Sequence, residues 1–76
     1  MNLKSAAAAA KEHICDLFAA DTPRNVRLEG FLYDDHLAVW SLIIGFAPSG
    51  YGQEVRVSKI VRVSEADKSV LSVRDQ

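Results

Sequence analysis

Apolar positions along this chain change period once, and the change separates a helix from strands. From Leu3 to Phe18, the residues Leu3, Ala7, Ala10, Ile14, Leu17 and Phe18 recur at three- and four-residue steps, the spacing of one helical face. The alanine run Ala6–Ala10 adds helix propensity and lets such a helix sit close against a sheet. Ser5, ahead of Asn2, is the candidate N-cap, because a side-chain oxygen there accepts one of the unpaired backbone N–H groups of the first turn. Pro23 stops the helix no later than Asp21 or Thr22, since the residue before a proline avoids helical angles.

After Pro23 the period is two. Val26, Leu28, Gly30 and Leu32 alternate with Arg27, Glu29, Phe31 and Tyr33, as along a strand. Asp34, Asp35 and His36 form a polar turn. Leu37 to Phe46 is almost continuously apolar, the mark of a strand covered on both faces. With Tyr33 and Leu37 flanking a three-residue turn, antiparallel register sets Leu32 opposite Ala38, Gly30 opposite Trp40, Leu28 opposite Leu42 and Val26 opposite Ile44. That face is the expected core, with Gly30 leaving room for the Trp40 indole. The other face pairs Phe31 with Val39, Glu29 with Ser41 and Arg27 with Ile43.

Ala47 to Gln53 reads as a loop, with a proline and two of the four glycines. Glu54 to Ser64 alternates again, with Val55, Val57, Val61 and Val63 inward and Glu54, Arg56, Ser58 and Arg62 outward. Lys59 breaks the pattern: either it snorkels from the sheet, or a bulge near Ser58 turns Ile60 inward. Ala66, Asp67 and Lys68 make a second turn, and Val70 to Arg74 is a last strand whose Leu71 and Val73 face Val63 and Val61. The predicted fold class is α+β: one N-terminal helix packed on a four-stranded antiparallel meander, as a single domain over residues 1–76.

One helix covers one face of a sheet. Phe31, Tyr33, Leu37, Val39 and Ile43 would together expose several hundred square ångströms of apolar area, around or above the usual limit for a monomer. At roughly 25 cal/mol per Å², covering most of it is worth several kcal/mol before association costs. These five residues are therefore the candidate partner-binding set, for a homodimer or for docking on a different protein. The alternative is that strand twist and the Ala47–Gln53 loop shield the patch.

Composition narrows the function classes. A chain of 76 residues sustains one small core. With 49% hydrophobic and 25% charged residues it reads as neither disordered nor a membrane protein. The net charge of -1 gives no global attraction to polyanions. Lys11, Glu12 and His13 interrupt the apolar start before it reaches the roughly 7–15 residues of a secretory signal core. No stretch approaches the roughly 18 apolar residues of a membrane span, and a cytoplasmic protein is expected. Cys15 is the single cysteine, which excludes an internal disulfide and suits a reducing compartment.

Catalytic and cofactor motifs are not apparent, so no enzyme activity, cofactor or metal is expected. Cys15 and His13 are two apart on the helix and point to different sides; Cys15 reads as a small packing residue. His36, Asp34 and Asp35 read as turn chemistry rather than a metal site. Ser49-Gly50-Tyr51-Gly52 precedes a strand, whereas a phosphate-cradling glycine turn opens a helix; Tyr51 is a candidate interface aromatic. A second functional reading is a nucleic-acid-binding sheet, with outward Arg27, Arg56, Arg62 and Arg74 on phosphates and Phe31 or Tyr33 stacking on bases. Glu29 and Glu54 dilute that charge.

The stretch Ser58-Lys59-Ile60-Val61-Arg62-Val63-Ser64-Glu65-Ala66-Asp67-Lys68-Ser69-Val70-Leu71-Ser72-Val73 resembles the closing hairpin of PepSY-like domains. In that family a Lys-Val-Val-x-Val strand meets an Asp-Ala-x-x-Gly turn and a Val-Leu-Ser-Val return strand. Trp40 to Phe46 is similar to the family's Trp-x-Val-x-x-Gly-Phe strand, and the N-terminal helix fits too. Lys68 stands where the family usually has glycine, and Ser64 where it has aspartate. Family members are commonly exported or membrane-attached. The resemblance implies a non-enzymatic binding or peptidase-inhibiting module with no catalytic residues to carry over.

Overall fold

The structure, a computed structural model, describes residues 2–48 and 56–76. Helix α1 spans Leu3–Leu17. Asn2, not Ser5, is its N-cap: the Asn2 Oδ1 accepts from the Ser5 backbone N–H at 2.9 Å, which places Ser5 inside the first turn. The helix closes at Phe18, whose N–H donates to the Ile14 carbonyl at 2.9 Å. A 3₁₀ turn, Ala19–Asp21, leads to Thr22 at φ 46°, just before the proline that ends helical geometry.

Four strands follow: β1 (Arg24–Asp34), β2 (Val39–Ala47), β3 (Val57–Ser64) and β4 (Val70–Asp75). They form one antiparallel meander in the order β1-β2-β3-β4, so β1 and β4 are the edges. The fold is the expected α+β arrangement. Of the expected loop, Ala47 instead ends β2, and Ser49 to Gln53 lie outside the described residues, as do Glu54 and Val55 of the expected third strand.

The core lies between α1 and one sheet face. Ala6, Ala10 and Ile14 are packed with Leu42, Ile44, Phe46, Val61 and Val63, with Leu3, Phe18, Val26, Leu28, Trp40, Val57, Val70 and Val73 around them. The alanines allow close approach. Each fully buried Leu, Ile, Val or Phe contributes roughly 1.5–3 kcal/mol. Leu17, expected on the packed stripe, is exposed, and Ala6 is buried instead. Lys59 resolves to the snorkelling alternative: it pairs with Ile44 in unbroken register, and so points to the core face. Its Nζ lies 5.4 Å from the Phe18 ring centroid and pairs with the Asp75 carboxylate at the rim.

The first hairpin departs from the expected register. Gly30 pairs with Ile43, Phe31 with Leu42, Leu32 with Ser41, Tyr33 with Trp40 and Asp34 with Val39. Two local causes account for the shift. The turn holds Asp35 to Ala38, one residue longer than expected, with Asp34 Oδ1 accepting the His36 and Leu37 N–H groups at 3.0 and 3.1 Å and Ala38 at φ 52°. A bulge then inserts an extra residue, Glu29, between Leu28 and Gly30. One inserted residue reverses which face the following side chains occupy. Val26 and Leu28 therefore face the core as expected, whereas Phe31 and Tyr33 share the helix-side face with Leu42 and Trp40. A further bulge sits between Arg24 and Arg27, where Asn25 takes φ 54°. In the last hairpin Val73 pairs with Val61 as expected, but Val70 rather than Leu71 pairs with Val63, because Leu71 is bulged out.

Candidate interaction surface

The five candidate contact residues do not form one face. Val39 and Ile43 lie on the sheet side away from α1, in register with Ser64 and Ile60 of β3. Phe31 and Tyr33 lie on the helix side, against Trp40, with ring centroids 6.3 and 4.8 Å from the indole. Leu37 stands in the turn between them. Val39 is only 6% exposed, so it is already shielded within one chain and is a poor anchor. Phe31 at 55%, Leu37 at 61% and Leu32 at 69% are open to solvent. Alternation alone predicts Leu32 on the core face; the Glu29 bulge moves it outward.

The hairpin carrying these residues is braced at its tip. The Tyr33 hydroxyl donates to Glu65 Oε2, and the Glu65 backbone N–H donates to the Ala38 carbonyl at 2.9 Å, so the β1–β2 turn is tied to the β3–β4 turn. The bond to Glu65 raises the Tyr33 phenol above its ordinary pKa of 10.0, followed by burial and by the charges of Glu65, Asp35 and Asp34. The Trp40 Nε1 is buried and has no hydrogen-bond partner among the described residues.

The sheet side away from α1 has an apolar centre and a polar end. Ile43 and Ile60 pair across β2 and β3 and are half-buried, with Gly30, Ser41 and Ser58 as small neighbours and Arg62 and Arg74 beside Ile60 on the same face. No described helix or strand packs on this side, since α1 lies entirely on the other. At the polar end the Glu29 carboxylate lies across β2 over Gly45, in the space a Cβ would need. From there Glu29 Oε1 accepts from the Ser58 hydroxyl at 2.7 Å and Oε2 is 3.7 Å from an Arg56 guanidinium nitrogen. Arg56 also donates to the Asn25 carbonyl at 3.2 Å. Asn25, Val26, Arg27 and Arg56 line an open cleft of about 370 Å³. A glycine inside a strand signals close approach by another group, and Gly45 was the available hint of the Glu29 arrangement.

This geometry separates the parts of a nucleic-acid surface. Arg27, Arg62 and Arg74 lie on the sheet face away from α1, as does the Arg56–Glu29 pair, whereas Phe31 and Tyr33 lie on the opposite face. Arg56 is engaged by Glu29, so its charge is locally balanced.

The remaining chemical candidates are placed as follows. Cys15 is exposed, contrary to its expected packing role. His13 lines a shallow cleft of about 230 Å³ with Ala9, Glu12, Asp16, Lys68 and Val70. Asp34 is engaged as the turn cap of His36 and Leu37. Among the described residues no group of three or more His, Cys, Asp or Glu side chains is placed to hold a metal ion, and no helix is long and apolar enough to cross a membrane. Compared with protein-family models, curated proteins and solved structures, the chain matches none.

Proposed function

We propose that this protein is a non-enzymatic, cytoplasmic protein-interaction module that acts by contact and self-associates through its first hairpin. The observation that carries this reading is the exposure of Phe31, Leu32 and Leu37 on a hairpin that is otherwise rigidly braced through Tyr33 and Glu65. Large apolar side chains held in fixed positions bind at little cost in conformational freedom. Ile43 and Ile60, on the side without helical cover, extend the apolar area. An inhibitory or regulatory role, as the PepSY-like resemblance implies, is the same mode of action: occupation of another protein's surface without chemistry.

The reading is tested by sedimentation velocity over a range of concentrations, with retention on immobilised RNA and DNA as a control. The mass should rise from the 8.3 kDa subunit towards twice that value, with no salt-dependent retention on either polyanion. A fixed subunit mass combined with steeply salt-dependent retention would replace this reading with nucleic-acid binding.

A further inference from the structure

The bulge-free stretch Gly30–Asp34 pairs with β2 on one side, from Gly30 opposite Ile43 to Asp34 opposite Val39. Its other side is a sheet edge. An edge strand presents a row of backbone N–H and C=O groups that a further strand can satisfy. Protein edges are usually blunted by bulges, charge or short length, and β4 shows all three: it has six residues, a bulge at Leu71, and Arg74 and Asp75 at its end. Within β1 the two bulges lie before Gly30, and the regular stretch after them carries Phe31 on one face and Leu32 on the other, both mostly exposed.

The charge along β1 is polarised. Arg24 and Arg27 precede this stretch, and Asp34 and Asp35 end it. The third strand repeats the polarity, with Arg56 just before Val57 at the Arg24 end, and Glu65 just after Ser64 at the Asp35 end. A parallel neighbour would set like charges together. An antiparallel neighbour with the same sequence sets unlike charges together.

We propose that a second copy of this chain pairs edge to edge with β1, antiparallel about a twofold axis at Phe31, to make one continuous sheet with both helices on the same side. This rests on the reading of the chain as a self-associating module and names the edge it uses. In an antiparallel ladder only residues whose backbone groups point to the same edge pair directly, so the axis must fall on a residue. An axis at Leu32 carries Arg27 past Asp34, the last residue of the partner subunit's β1, and leaves it without an unlike charge in the ladder. With Glu29 stepped over as the inserted residue, an axis at Phe31 sets Arg27 against the partner subunit's Asp34, both on the sheet side away from α1, and Gly30 against the partner subunit's Leu32. Gly30 has no side chain there, and Ile43 Cδ1 lies 3.3 Å from the position of a Cβ, so the incoming leucine packs on Ile43. The contact is isologous, hence closed.

The test uses the full chain carrying Cys15→Ser, which removes the exposed thiol. In that background Phe31→Cys should be captured as a covalent dimer by oxidation or a short thiol-bridging reagent, and Ile60→Cys, away from the edge, should not. Amide exchange over Gly30–Asp34 should slow as protein concentration rises, while exchange over Val70–Asp75 stays constant; this readout needs no substitution at the contact. Arg27→Asp should weaken dimerisation by about tenfold, and Arg27→Gln by less, because it removes an attraction without adding a repulsion. A dimer captured through Ile60→Cys, with unchanged exchange in Gly30–Asp34, would overturn the edge pairing while leaving self-association standing. A parent chain that stays at subunit mass at every concentration would overturn both.

Discussion

The Tyr33 hydroxyl donates to the Glu65 carboxylate across 32 residues of sequence, joining the tips of the two hairpins beside the Trp40 indole. The bond fixes the most exposed apolar part of the molecule relative to the rest of the sheet. Because the Glu65 carboxylate raises the Tyr33 pKa, folding favours the neutral phenol. The resulting stabilisation is fully present below the ordinary value of 10.0 and is lost as pH climbs through the raised folded value. Thermal unfolding of the parent should therefore fall off more steeply on the alkaline side than that of Tyr33→Phe. Glu65→Gln, which keeps an acceptor but removes the charge, should bring the tyrosinate absorbance titration of Tyr33 back down. Identical alkaline profiles for the parent and Tyr33→Phe would contradict this.

Gly45→Ala should dislodge Glu29. The added methyl would occupy the place of the Glu29 carboxylate, and the displaced side chain would lose its contacts with Ser58 and Arg56. A cost of about 1 kcal/mol is expected from the lost hydrogen bond and the exposed ion pair. The same substitution in a Glu29→Ala background should be neutral or slightly stabilising, because alanine fits a strand better than glycine. Urea unfolding of the four proteins completes the double-mutant cycle, and equal costs in both backgrounds would show that Glu29 does not use that space.

Lys68→Gly should stabilise the fold. Lys68 ends the β3–β4 turn at φ 62°, with its N–H donating to the Ser64 carbonyl at 2.9 Å. Left-handed geometry costs a side-chain-bearing residue about 1–2 kcal/mol, partly offset by the greater freedom of glycine in the unfolded chain. A gain of about 0.5–1 kcal/mol is expected, read as a higher denaturation midpoint at unchanged slope. A loss would mean that the lysine side chain makes a compensating contact.

Asn2→Ala should remove the N-cap of α1 and cost about 1 kcal/mol, whereas Ser5→Ala should be close to neutral. The reverse ranking in thermal unfolding would return the cap to Ser5.

Much of this architecture was legible from residue spacing. The three- and four-residue steps from Leu3 to Phe18 located α1 to within one residue of its end, whereas Pro23 bounds the 3₁₀ turn that follows it. The parity of β2 was legible as well: Trp40, Leu42 and Ile44 face the core, and Val39, Ser41 and Ile43 face away. What alternation alone did not reveal were insertions. The bulge at Glu29 leaves every residue type in a plausible strand position, yet it exchanges Phe31 and Tyr33 with Gly30 and Leu32 between faces. The extra turn residue had a local signal in Asp34, whose carboxylate caps the two following N–H groups as aspartate commonly does. Leu71 departs from simple alternation for a related reason, being itself the inserted residue of β4. The candidate contact set consequently shifts from Val39, which is buried, to Leu32, which is open.

That shift also selects the decisive substitution. Val39→Arg would place a charge at a position that is 6% exposed and so would disturb the fold along with any contact. Leu32→Glu changes a side chain that is 69% exposed and should leave the fold intact by circular dichroism. The central claim is tested most directly by light-scattering mass for the parent and Leu32→Glu at matched high concentration. The account predicts a parent approaching twice the 8.3 kDa subunit mass and a variant at the subunit mass; equal masses for the two folded proteins would contradict it.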